Sequence, residues 1–150
     1  MLRHTLATLS YRLGKVLRDT PPEFSGFPEG DPQTAGKILA HIGDLMDWAL
    51  SMVNGEQKWY NSTPLPWPDE IARFYASIAA LDARLAEVGA GGSSEERLFQ
   101  GPIADALTHT GQLAMMRRLA GVKMTGENYY IADIAVGCVG PDQAAPRRVF

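Results

Sequence analysis

The chain has 150 residues, 45% of them hydrophobic and 21% charged, with a net charge of −3. That length suits a single domain, 1–150, with a real core, and the mild acidity gives no footing to nucleic acid or to an anionic membrane. No run approaches the roughly 18–20 apolar residues of a membrane span. The one cysteine, Cys138, rules out an internal disulfide and points to a reducing, cytoplasmic setting.

Leu2, Leu6, Leu9, Leu13 and Val16 recur at spacings of four and three, the seam of an amphipathic helix. The segment carries Arg3, Arg12, Lys15 and Arg18 with no acid before Asp19, as organellar presequences do, yet its seam reads as a bundle helix. Pro21 and Pro22 stop it. Asp31-Pro32 reads as N-cap and first position of a second helix, with Ile38, His41, Leu45 and Trp48 on its seam and Asn54-Gly55 at its end. A polar connection from Gly55 to Trp67 is long enough to cover something. A third helix starts at Pro68-Asp69-Glu70, where acids favour the dipole, and carries Ile71, Phe74, Ile78, Leu81, Leu85 and Val88. Ser93-Ser94 caps a short piece, Gly101-Pro102 interrupts it, and a fourth long helix runs from Pro102 to Gly121, with Arg117 and Arg118 in its last turn. Within the Gly- and Pro-rich tail 121–150, Tyr129 to Val136 forms a short helix or a strand. The pattern predicts an all-α, up-down four-helix bundle with helices near 2–19, 32–53, 68–89 and 102–120.

The fourth helix carries the chemistry. Asp105 and His109 stand at i, i+4 and leave one face a turn apart, with Gln112 and Met116 continuing that face. Burying a carboxylate or an imidazole unpaired is costly, and a divalent metal satisfies both. His41, on the apolar seam of the second helix, supplies a third ligand. Two imidazoles and one carboxylate leave a coordination position open for water or substrate. Each residue also has a plainer reading: His41 as a core histidine bonded to Asp44 or Asp105, and Asp105 as a first-turn acid held by the dipole. The same ligand set serves non-haem iron oxygenases, which belong to β-barrel scaffolds. Asp44 and Gln112 are candidates to stand behind the ligands and orient them, and Trp48, Trp59 and Tyr60 are candidates to line a pocket or to serve the core. His4 lies off the apolar stripe and reads as a surface residue, Cys138 as a small buried hydrophobe, and Arg147-Arg148 as a solvated terminus.

Leu39-Ala-His41-Ile-Gly-Asp44-Leu-Met-Asp47-Trp48, together with Asp105-Ala-Leu-Thr-His109-Thr-Gly-Gln112, resembles the DinB-like (YfiT-related) metal-binding four-helix bundles. Helix order and length over most of the chain share the resemblance, as does the tail Gly126-Glu-Asn-Tyr-Tyr-Ile-Ala-Asp-Ile. In that family one histidine comes from the second helix and two from an H-x-x-x-H on the fourth, followed by Arg-Gly-Gln. The resemblance implies His41 and His109 as ligands, with Asp105 in place of the first fourth-helix histidine and Thr110 in place of the arginine. It further implies a divalent metal (Zn first, with Ni, Fe or Mn as alternatives), a homodimer, and a thiol-dependent transferase or isomerase, or a small hydrolase. A low-molecular-weight thiol is then a cofactor to expect, and a small molecule the substrate. A non-catalytic metal- or ligand-binding bundle is the competing class.

Overall fold

A computed structural model describes all residues, 1–150. The chain is helical: α1 Leu2–Leu17, α2 Ala35–Val53, α3 Trp67–Val88, α4 Glu95–Leu98 and α5 Ala104–Leu119. It has no strand, only one antiparallel bridge between Glu127 and Val149. No helix is long and apolar enough to cross a membrane.

The seam of α1 is buried throughout, and so are Phe74, Ile78, Leu81 and Leu85 of α3. The α3 stripe is shorter than the sequence suggests, because Ile71 is half-buried and Val88 exposed. Both α1 and α2 pack against α3 and α5, so α1 and α2 lie across a diagonal. Cross-helix pairs give the directions. Arg3 meets Asp82, and Thr20, just beyond α1, meets Trp67, so α1 and α3 run antiparallel. Arg73 reaches Ala40 and Arg84 reaches Asn54, so α2 and α3 run parallel. Arg117 near the end of α5 bonds the last turn of α1, so those two helices run parallel. The order is up, down, down, up.

Strict alternation therefore fails between α2 and α3, because residues 54–66 form a strap that returns along α2. Its backbone is pinned in steps. Lys58 N donates to Ser51 Oγ at 2.8 Å, Ser62 N to Asp44 Oδ2 at 2.8 Å, and Leu65 N to Glu70 Oε2 at 2.8 Å.

Helix ends differ from the sequence reading in two places. The N-cap of α2 is Thr34, whose hydroxyl accepts from Lys37 N, whereas Asp31 accepts from Gln33 N at 2.7 Å. An Asp that satisfies the backbone two residues on makes a local turn, which delays the helix by three positions. Gly101-Pro102 does not break the chain into separate helices. A π-turn, Phe99–Ile103, joins α4 to α5, and its wider ring accommodates the proline that offers no N–H. The end of α5 follows expectation, with Gly121 at φ 76°. Its N–H bonds Arg118 O while Val122 N bonds Arg117 O, the paired closure of a Schellman motif. Arg117 itself serves another helix, donating to Val16 O and Arg18 O at 2.7 Å and so capping α1.

The tail forms neither the helix nor the strand expected over Tyr129 to Val136, only a single 3-10 turn at Tyr129–Ile131. It docks on α1 through polar contacts instead. Buried Glu127 accepts from Tyr11 at 2.6 Å and from Lys15 at 2.7 Å, and Ser10 donates to Val139 O at 2.8 Å. Cys138 is exposed, contrary to its reading as a buried hydrophobe, because its neighbour Val139 takes the buried position. His4 is exposed, and Arg147 pairs with Asp133 at the surface.

Candidate metal centre

The antiparallel pairing of α2 with α5 sets His41 opposite Asp105 and His109. One ligand atom from each of the three lies within 4.8 Å of the others. His41 Nε2 stands 3.3 Å from Asp105 Oδ2, and His109 Nε2 stands 3.4 Å from Asp105 Oδ1. The two imidazoles meet edge to face with centroids 4.8 Å apart. Direct hydrogen bonds to a carboxylate from a charged nitrogen run about 2.7–2.9 Å. Ligands sharing a tetrahedral ion at about 2.0–2.1 Å sit about 3.3–3.4 Å apart. The two His–Asp separations, made to different oxygens of Asp105, fall near the second spacing, while the three ligand atoms as a set spread to 4.8 Å.

The group is not buried as deeply as its seam positions suggest. Side-chain exposure is 34% for His41, 44% for Asp105 and 20% for His109. Asp105, in the first turn of α5 beside the π-turn, is the most exposed of the three, so the group is accessible to solvent.

Gln112 stands where the i+3 spacing puts it, with Oε1 2.6 Å from His109 Nδ1. A carbonyl oxygen only accepts, so Nδ1 is the nitrogen that donates to it, and Nε2 is the nitrogen turned toward Asp105. Asp44 does not orient an imidazole. Both its oxygens accept from Ser62, and one also accepts from Arg73. Burial pushes its carboxyl up, but the hydrogen bonds from Ser62 and Arg73 outweigh that and hold it below the usual range. Thr110, one position after His109, is buried and bonds back to Ala106 O at 2.8 Å, so it offers the group nothing.

Of the aromatic candidates, Trp59 is brought to the group by the strap. Its ring stands 5.7 Å from His41 and 5.4 Å from Trp48, both edge to face, and it is half exposed. Tyr60 turns outward under Lys58. An open cleft of ≈ 970 Å³ adjoins the imidazoles, with His41 and His109 in its wall. Lys37, Asn61, Thr63 and Met115 also line it and were not singled out from the sequence. Lys37 precedes His41 by one turn, a spacing that could have marked it; the strap residues carry no such signal.

An all-helical bundle with a His–Asp–His group that could hold a metal ion is what fold and site define together. No protein-family model matches the chain, nor does any curated protein or any solved structure.

Proposed function

We propose that this protein is a divalent-metal-dependent enzyme in which His41, Asp105 and His109 hold the ion, with zinc the first choice and Ni, Fe or Mn as alternatives. The convergence of three ligand atoms within 4.8 Å beside an open cleft carries the reading. When bound, such an ion acidifies a water or a thiol and polarises a carbonyl. The chain's part is positioning. Gln112 fixes the His109 tautomer, Trp59 shields one side of His41 from water, and the exposure of Asp105 leaves an approach. The resemblance to DinB-like bundles supports a thiol-dependent transferase or isomerase, or a small hydrolase, acting as a cytoplasmic homodimer.

The competing class is a non-catalytic bundle. Its support is that both Nε2 atoms face Asp105, so a protonated imidazole satisfies the carboxylate without an ion. Elemental analysis of protein purified without chelator or metal-affinity resin separates the two. The expected result is one ion per chain, lost in His109→Ala with the helical circular dichroism retained. Failure to load Zn, Ni, Mn or Fe(II) favours the internally bonded trio. Sedimentation of the same sample at tens of micromolar should give a dimer, and a 16.3 kDa species speaks against that part of the reading.

A further inference from the structure

The cleft beside the imidazoles carries charges of both signs. Three ionisable side chains other than the histidines line it: Asp31, Lys37 and Asp44. Asp44 is compensated by Arg73 and saturated by Ser62. Asp31 has one oxygen committed to the Gln33 backbone. Lys37 alone makes no side-chain hydrogen bond or ion pair to any part of the chain, and it is exposed. The helical repeat sets it on the face of His41, one turn toward the N-terminus, with Cβ atoms about 5–6 Å apart. Lys37 lines the cleft, and its flexible four-carbon stem lets the ammonium sample that space.

The rest of the wall separates into kinds. Asn61 and Thr63 of the strap offer neutral polar groups on one side, and Met115 and Met116 of α5 offer a pliable apolar surface on the other. A ligand with one end at the imidazoles therefore crosses an apolar patch and meets a single free cation. We propose that Lys37 is a specificity-determining residue that selects substrates carrying a carboxylate about one helical turn from the atom held at His41, Asp105 and His109. This rests on the metal-dependent reading above and adds the chemical class of the substrate to it.

The test uses the zinc-loaded full chain and two probes that bind through the same hydroxamate. One is the monohydroxamate of succinic acid, with a free carboxylate; the other is its neutral primary amide. A zinc titration comes first, followed by calorimetric titration of each probe. The carboxylate probe should bind about two- to fivefold more tightly at low salt, the range of a solvent-exposed ion pair. That preference should shrink at about 0.5 M salt. Lys37→Met should abolish the preference while leaving zinc affinity unchanged, and Lys37→Glu should reverse it. Lys37 is exposed and unpaired, so both variants should fold. Equal affinities for the two probes in the wild type, or a preference that survives Lys37→Met, overturns the assignment while leaving the metal centre standing. Failure of the initial zinc titration overturns the metal-dependent reading and takes this inference with it.

Discussion

With its Nδ1 proton donated to Gln112 at 2.6 Å, His109 points Nε2, the nitrogen a metal would take, at Asp105 without having to rotate. Partners of this kind typically contribute 10–100-fold to metal affinity. Gln112→Ala should therefore weaken zinc binding by about that factor, and Gln112→Glu, which keeps an acceptor, should restore most of it. Competition with a fluorescent chelator measures both; an unchanged affinity in Gln112→Ala would show that the contact is incidental. The four residues of this argument were legible in the sequence for a simple reason. Asp105, His109 and Gln112 share one helix, where spacing alone dictates a common face, and His41 interrupts an apolar seam. Asp44 was legible as a polar group in the same region but not in its role, because its partners Ser62 and Arg73 lie 18 and 29 positions away. No local pattern encodes such a pairing.

The strap and α3 are joined through that same carboxylate. Asp44 is 2% exposed and holds the strap through both the backbone and the hydroxyl of Ser62, while Arg73 also reaches Glu70 at 3.1 Å. Removing one partner of a buried ion pair strands the other charge, at about 3–5 kcal/mol. The remaining carboxylates around Arg73 place Asp44→Ala near the lower end, about 3 kcal/mol, read from urea denaturation. Trp59 emission should shift with it as the strap loosens. The pH dependence follows from the lowered carboxyl of Asp44. A group whose folded pKa lies below its unfolded value stabilises fully above the unfolded value, about 3.9 for Asp. Its contribution persists through neutral pH and is lost only as the pH falls below that range toward the folded value. Stability measured from pH 7 down to pH 5 should thus show no loss from this pair, and a loss already complete at pH 5 would contradict the assignment. That residues 55–67 cover something was readable from their length and polarity. Their return along α2 was not, because it depends on contacts to Ser51, Asp44 and Glu70 on two other elements.

At the scale of the whole molecule, apolar periodicity announced four long helices but not which of them adjoin or in what direction. Seam residues specify that a face is buried, and any of three partner helices satisfies that demand equally well. Direction is decided by sparse long-range pairs such as Arg3 with Asp82 and Arg117 with the end of α1. The His–Asp–His group is itself a pairing of this kind, since its residues come from α2 and α5, which are antiparallel neighbours distant in the chain. An ion bound there ties together two helices whose shared wall is opened by clefts on either side of the ligands. Because the three ligands come together only in the folded bundle, the ion should bind the native state and scarcely bind the unfolded one. Native-state binding stabilises by about 2.7 kcal/mol when free metal is 100 times Kd. For a domain of this size each kcal/mol raises Tm by roughly 2–4 °C, so saturating zinc should raise it by about 5–10 °C. His109→Ala and Asp105→Ala should each lose that increment while folding to the same helical content without metal. Asp105→His, which recreates a three-histidine set, should retain it. Equal zinc-induced shifts in wild type and His109→Ala, followed by differential scanning calorimetry, would mean that the ion stabilises the bundle from elsewhere and not through the junction of α2 and α5.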